Sequence, residues 1–191
     1  MSSIQNTFKE LVEEGIRYVP AGQADPRLLK VIQDLVGIHN EGLRGSSDCV
    51  NNMGYHCVND VVRTTDIFRA LMISAGEKAK VKQTIRYLEA GAGTGFFTAI
   101  MSSLGNVEVR AAEQDEKSLA LGWRFLDFLG LRSDLIERRD LLANPVTKGE
   151  FTPDILFAEQ ICGDTGNEHF HRVMQAQARD EETLTIPYSI Q

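Results

Sequence analysis

A strand-like segment that leads into three alternating glycines, at residues 87–95, most constrains the fold of this chain. Its apolar start indicates a buried strand, and an apolar run from Phe96 indicates a helix. Between them lie Gly91, Gly93 and Gly95, which lack a Cβ and can take positive φ while another molecule lies against their backbone. A glycine turn between a strand and a helix N-terminus is typical of nucleotide-binding α/β folds.

The spacing of these glycines narrows the class of ligand. Dinucleotide-binding proteins use Gly-x-Gly-x-x-Gly, whereas the glycines here alternate. We therefore expect a nucleoside cofactor without a pyrophosphate, rather than NAD or FAD. The predicted cofactor-binding residues at this turn are Glu89, Gly91, Gly93 and Gly95.

Glu113 ends the next apolar run, residues 107–113, which predicts a second strand. An acidic residue at the tip of the second parallel strand is placed to accept hydrogen bonds from a ribose 2′,3′-diol. Together, the glycine turn and the acidic tip indicate the S-adenosylmethionine-binding version of the Rossmann architecture. The alternative is a glycine cluster in an ordinary turn with a solvated surface glutamate. That alternative does not explain why the glycines lie between a predicted strand and a predicted helix, or why Glu113 ends a predicted strand.

Composition and charge exclude several classes of protein. The chain has 191 residues, 42% hydrophobic and 25% charged, as in an ordinary globular domain. A net charge of −7 and no basic run argue against a nucleic-acid partner and weakly favour a cationic substrate. Three cysteines without a CxxC pair predict neither a disulfide framework nor a bound metal. With no secretory signal and no apolar span, we expect a cytoplasmic protein with no membrane partner.

Hydrophobic periodicity divides the chain into two parts. Residues 1–83 predict an N-terminal helical segment that contributes to the cofactor pocket, with helices at 3–15, at 28–39 and from Asn59 or Asp60 to Ser74. The last helix is expected to bury Val61, Val62, Ile67, Phe68, Leu71 and Met72. Residues 84–191 alternate strands and helices, which predicts an α/β, Rossmann-like domain with a mostly parallel sheet. Its predicted strands are 85–89, 107–113, 134–138, 154–159 and 183–187, its helices are 95–104, 116–129 and 168–179, and 140–152 is a loop.

Two acidic residues follow the fourth predicted strand and are the candidate catalytic residues. Glu159 ends that strand, and Glu168 follows a loop in which glycines allow a fold back toward it. Two converging carboxylates would hold a planar cation bidentately, and a guanidinium has the best-matched shape. Two alternatives stay open, because Glu168 could instead cap the following helix and Asp164 is a rival carboxylate.

Arg63 lies early on the predicted helix that precedes the sheet. A cationic side chain there could pair with the carboxylate of a methionyl group, although an arginine on an amphipathic helix is usually solvated.

Several of these stretches resemble one enzyme family, the protein arginine N-methyltransferases. Residues 59–71 are similar to its Val-Arg-Thr helix, residues 88–95 to its cofactor loop, and residues 159–168 to its double-glutamate loop. Glu113 falls at the position of its ribose-binding glutamate. The resemblance covers residues 59–187 and implies transfer of a methyl group from S-adenosylmethionine to an arginine-like guanidino nitrogen.

The sequence also departs from that family. Nothing in it corresponds to the β-barrel that follows the family's Ile-Pro element, so we expect either a truncated core or a variant of the fold. Tyr55 is the nearest equivalent of an aromatic residue on the family's first helix. Two alternatives therefore remain, namely an N- or O-methyltransferase for a small molecule or peptide, and a cofactor-binding subunit that needs a partner chain. The expected partners are a cationic peptide, protein or small-molecule acceptor, and a homo-oligomer is compatible with the sequence.

Overall fold

Four helices precede the sheet in the computed structural model, which describes residues 3–21, 25–147, 149–160, 172–173, 175 and 183–189. They are α1 (Ser3–Tyr18), α2 (Pro26–Leu43), α3 (Met53–Asn59) and α4 (Val61–Ala79). Asp25 caps α2, and Pro26 supplies its first residue, where a missing N–H costs nothing. The predicted helices are confirmed and run further than expected. No helix in the described part of the chain is both long and apolar enough to cross a membrane.

The amphipathic pattern of α4 confirms most of its predicted core residues but not all of them. Its buried face includes Ile67, Phe68, Leu71 and Met72, as expected. The predicted burial of Val62 is wrong, because its side chain is 66% exposed. The helical period instead turns the two following residues, Arg63 and Thr64, toward the core.

The second half of the described chain forms a five-stranded parallel sheet, which confirms the predicted fold class. Its strands are β1 (Ile85–Ala90), β2 (Val107–Glu113), β3 (Ile136–Arg138), β4 (Ile155–Gln160) and β5 (Leu184–Ser189), in the order β3-β2-β1-β4-β5. Among the described residues, α5 (Phe96–Ser102) connects β1 to β2 and α6 (Glu116–Leu129) lies between β2 and β3. The strand order reverses between β1 and β4, and ligands of open α/β sheets bind beyond the strand ends at such a point.

The sheet separates two layers of apolar side chains. On one face, Tyr87, Val109, Ala111 and Phe157 belong to a core shared with the helices. On the other face, Leu88, Ala112 and Leu156 pack with the buried side chains of Leu141, Val146, Phe151 and Val173. Because both faces are covered, the central strands are almost continuously apolar, which is why the sequence indicated them clearly.

Residues 140–152 contain no described helix or strand, as predicted, and one arginine organises them. Arg139 donates to the backbone carbonyls of Asn144 and Pro145 at 2.7 and 2.9 Å and to the Glu150 carboxylate at 2.7 Å. Its guanidinium holds the pKa of Glu150 at about 2. The predicted helix at 168–179 lies largely outside the described residues, among which 172–173 and 175 are helical.

Candidate functional site

The glycine loop after β1 has a backbone that L-residues with side chains rarely adopt. Gly91, Gly93 and Gly95 have φ values of 80°, 54° and 75°. The loop is joined to β2, because the N–H groups of Gly91 and Ala92 donate to the Ala112 carbonyl at 2.9 and 3.0 Å. Three left-handed positions within five residues explain why the sequence requires glycine at each. The loop thus presents bare backbone at the carboxyl edge of the sheet.

Glu113 lies at the end of β2, directly against this loop. One carboxylate oxygen accepts the Gly93 N–H at 2.8 Å, and the other accepts the Asp115 N–H at 2.8 Å. The residue is 8% exposed, and that exposed part faces the cleft above the glycines. Each carboxylate oxygen has two lone-pair sites, so each of them keeps one for a ligand hydroxyl.

Glu89 lies next to the last residue of β1, in register with Ala111 of β2, and is 2% exposed. Thr98 donates its hydroxyl to the carboxyl group at 2.7 Å. Burial raises the pKa of Glu89 to about 8, although the hydrogen bond from Thr98 partly opposes that rise. The group is therefore mostly protonated at neutral pH, and it lies on the floor of the cleft.

The glycine loop and the two glutamates border a cleft of about 190 Å³. Helices α3, α5 and α6 supply its other walls. The lining residues are Met53, Gly54, Val58, Glu89, Gly91, Ala92, Gly93, Thr94, Phe96, Phe97, Glu113 and Ser118. A second cleft, of about 340 Å³, shares Met53 and Ser118 with the first and has a polar lining that includes Asp48, Asn51, Asp115 and Lys117. The two clefts adjoin along the carboxyl edge of β2.

Helix α3 forms a wall of the cleft that the sequence patterns did not predict. The Asn52 side chain caps it by accepting the Tyr55 N–H at 2.9 Å, and donates to the Ser118 hydroxyl of α6 at 2.9 Å. A Cβ on Gly54 would lie 3.5 Å from the Cα of Gly93, so α3 and the loop approach backbone to backbone. The helix has only seven residues, too few for apolar periodicity, and its detectable signal was the Asn52 cap.

Tyr55 does not line the cleft, although it is the only aromatic residue of α3. Its ring stacks on His39 of α2, with 6.0 Å between centroids. His39 itself is fully buried, and its Nε2 lies 2.9 Å from the Thr94 hydroxyl of the glycine loop. Sequence patterns did not point to His39, because a single histidine in an amphipathic helix has no distinguishing pattern.

Arg63 lies in the first turn of α4 and is 5% exposed. Burial raises the pKa of the Cys57 thiol, and the nearby Arg63 guanidinium partly offsets that rise. Arg63 is not among the described residues that line the 190 Å³ cleft. Its predicted contact with a cofactor carboxylate stays a prediction.

The two candidate catalytic glutamates are described to different extents. The backbone of Glu159 lies in β4 near its carboxyl end, in register with Tyr188 of β5. This end of β4 adjoins the end of β1, at the edge of the sheet that carries the glycine loop. Glu168 and its rival Asp164 lie outside the described residues. The predicted convergence of the two carboxylates therefore stays a prediction.

Comparisons with known proteins found several solved structures of low similarity to this chain. No protein-family model and no curated protein matches the sequence. The ribosomal protein L11 methylase of Lactobacillus delbrueckii subsp. bulgaricus is 15% identical, with 62% of this chain and 58% of that chain aligned and a TM-score of 0.42. A variant of MtNAS in complex with S-adenosylmethionine is 13% identical over 94% of this chain and 71% of that one, with a TM-score of 0.48.

A third similar structure is coclaurine N-methyltransferase bound to N-methylheliamine and SAH. It is 15% identical, with 95% of this chain and 57% of that chain aligned and a TM-score of 0.43. The present chain thus spans less than two thirds of the length of this enzyme and of the L11 methylase.

Proposed function

We propose that this protein is an S-adenosylmethionine-dependent N-methyltransferase that acts on an arginine-like guanidino nitrogen of a protein or peptide. One observation carries the cofactor assignment: Gly91 and Gly93, both with positive φ, and the Glu113 carboxylate border the same cleft. The bare backbone of the loop allows a nucleoside to lie against it, and the carboxylate suits a ribose diol. The alternating glycines do not match the Gly-x-Gly-x-x-Gly pattern that binds a pyrophosphate, which disfavours a dinucleotide.

The residues present fit an adenosyl group. The remaining lone pair on each Glu113 oxygen can accept one ribose hydroxyl without breaking the bonds to Gly93 and Asp115. The raised pKa of Glu89 favours its neutral form, which reduces the negative charge beside the ligand. We assign Arg63 to the carboxylate end of the cofactor, because opposite charges favour that pairing.

When bound, S-adenosylmethionine supplies a methyl group on a sulfonium, which is a good leaving group. The protein's own contribution is then mainly to orient the acceptor and to stabilise charge. We assign the acceptor side to Glu159 and Glu168, beyond the carboxyl end of β4. Two carboxylates would localise the charge of a guanidinium on two nitrogens and leave the third with a usable lone pair. The acidic net charge of −7 supports a cationic acceptor.

Calorimetric titration with S-adenosylhomocysteine tests the cofactor assignment. Glu113→Ala removes both acceptor oxygens, and we expect the Kd to rise about 10- to 100-fold, since hydrogen bonds to a charged group are worth about 1.5–3 kcal/mol. Glu116→Ala is the matched control, because Glu116 lies on the next helix, is exposed and pairs with Arg138. Absence of binding to the unaltered protein would refute the assignment.

Methyl transfer from labelled cofactor tests the acceptor class. We expect labelling of an arginine-containing peptide and none of the same peptide with lysine in place of arginine. Glu159→Gln should abolish turnover while the Kd for S-adenosylhomocysteine changes less than about twofold. Labelling of small amines alone would instead assign a small-molecule acceptor, and parallel loss of turnover and cofactor binding would give Glu159 a structural role.

A further inference from the structure

A buried histidine of the N-terminal helices contacts the glycine loop. His39 lies on α2, and its side chain is fully enclosed. Its ring packs edge-on against Phe96 and Phe125, with centroids 5.4 and 4.7 Å away, and stacks on Tyr55. A polar ring among aromatic neighbours is costly to bury unless it forms a hydrogen bond.

The hydrogen-bond partner of His39 is Thr94, at 2.9 Å between Nε2 and Oγ1. Thr94 is 2% exposed and lies between Gly93 and Gly95. It is the one residue of the segment 91–95 whose side chain can form a hydrogen bond. Thr94 is therefore the only side chain of this segment through which α2 can form a hydrogen bond to the loop.

The contact forms between neutral groups. Burial lowers the pKa of His39 to about 3, so its imidazole is uncharged at neutral pH. A neutral imidazole has one N–H and one acceptor nitrogen, and a hydroxyl both donates and accepts, so either tautomer forms one hydrogen bond. No change of charge in the physiological range disturbs it.

The loop requires such support because glycine is the least restricted residue. Three glycines in five residues lose more backbone entropy on ordering than other residues would. Glu113 of β2 contacts the loop through the Gly93 N–H, and His39 of α2 contacts it through Thr94. The two contacts together hold consecutive residues from two directions.

We infer that His39 is a positioning residue that holds the glycine loop in its ligand-binding conformation through the Thr94 hydroxyl. This inference rests on the proposed function, since it assigns His39 to the cofactor site. It makes the helical segment part of that site, although His39 itself does not line the cleft.

A double-mutant cycle tests the inference. Thr94→Val keeps the shape of the side chain and removes its hydroxyl, and His39→Leu removes the ring nitrogen. We expect each substitution to weaken S-adenosylhomocysteine binding about three- to tenfold. The double variant should bind no more weakly than the single variant that has the larger effect. His39→Gln places a side-chain nitrogen or oxygen at the same number of bonds as Nε2 and should recover most of the affinity.

A second measurement separates this inference from the proposed function. Amide hydrogen exchange of Gly93, Thr94 and Gly95, measured without ligand, should be faster in Thr94→Val and in His39→Leu than in the unaltered protein. If the unaltered protein binds no adenosyl ligand, the proposed function fails, while the exchange rates still decide whether His39 holds the loop.

Thr7→Val is the control, because the Thr7 hydroxyl is exposed and donates to the Ser3 carbonyl within α1, and this change should leave both readouts unchanged. Should His39→Leu fail to fold, Thr94→Val and His39→Gln suffice. Additive effects on binding in the cycle, or unchanged exchange in Thr94→Val, would overturn the inference.

Discussion

Glu89 and Glu113 end neighbouring parallel strands at the same edge of the sheet, yet their surroundings differ. Glu113 has a backbone N–H on each oxygen and a small exposed part that faces the cleft. Glu89 receives a hydroxyl from Thr98, lies deeper, and has a pKa raised to about 8. Backbone N–H donors in fixed positions hold the Glu113 carboxylate, whereas burial is the main influence on the pKa of Glu89.

The difference shows that strand position alone does not assign a chemical role to an acidic residue. Both glutamates have the sequence context of a ligand-binding acid, at the end of an apolar run. The tight glycine loop delivers its N–H to Glu113 but not to Glu89. We therefore expect the same Glu→Gln substitution to have opposite effects on stability at the two positions.

Glu89→Gln gives the largest expected effect. Unfolded glutamate titrates near 4.5 and the folded group near 8, so between these values the native state keeps a proton that the unfolded chain has released. The stability of the unaltered protein therefore falls as the pH rises through this window. A neutral glutamine avoids that loss, and we expect its advantage in unfolding free energy to grow by about 3 kcal/mol from pH 5 to pH 8. Urea unfolding at both pH values measures it, and a constant difference would contradict the raised pKa.

Gly95→Ala tests whether the loop between the two glutamates is as constrained as its φ values imply. The new Cβ would lie 2.9 Å from Ile136 Cδ1 and 3.3 Å from the Cα of Gly122, at a residue with φ of 75°. We expect a loss of about 2 kcal/mol in unfolding free energy.

Gly76→Ala is its matched control, measured in the same way. Gly76 lies within α4, and a Cβ there would meet nothing within 4 Å. Because alanine is the better helix former, this change should stabilise the protein by about 0.5–1 kcal/mol. Two glycine-to-alanine changes with the same sign would contradict this interpretation of the loop.

Glu113→Gln gives the smallest effect and completes the comparison. Its amide nitrogen would face one of the two backbone N–H donors, so one hydrogen bond becomes a donor–donor contact. We expect a loss of about 1 kcal/mol in unfolding free energy at pH 8, where Glu89→Gln gains. Glu116→Gln, on the exposed side of α6, should change stability by less than about 0.5 kcal/mol. A gain at residue 113 would remove the distinction between the two sites.

The sequence predicted most of the fold because its strongest signals are local. The strands appeared as apolar runs, since both faces of the sheet are covered, and the glycines of 91–95 marked the loop. Helix α3 was missed because seven residues are too few for a periodic pattern, and Val62 was misplaced because apolar character alone does not determine which way a residue faces.

The site was harder to predict because its contacts join distant parts of the chain. The glycines and Glu113 were found from local motifs, and the structure places Gly91, Gly93 and Glu113 around one cleft, while Gly95 packs against Gly122 of α6. His39 and Thr94 are far apart in the sequence, and so are Asn52 and Ser118. Such pairings depend on how helices pack, which a single sequence does not record.

The backbone contacts among Gly54, Gly93 and Gly122 have a consequence for how this site can evolve. A Cβ on Gly122 would lie 3.1 Å from the Gly93 carbonyl oxygen, and one on Gly54 would lie 3.5 Å from its Cα. Helices α3 and α6 therefore hold the loop with no side chain between them to absorb a change. A Cβ at position 54 would make an ordinary contact with the loop, whereas a Cβ at position 122 would require a shift of the Gly93 carbonyl or of the Ile136 side chain, whose Cδ1 would lie 2.9 Å away. Helix α6 thus limits the position of the loop more strictly than α3 does, and homologues with a side chain at position 122 should carry a compensating change at Gly93 or Ile136.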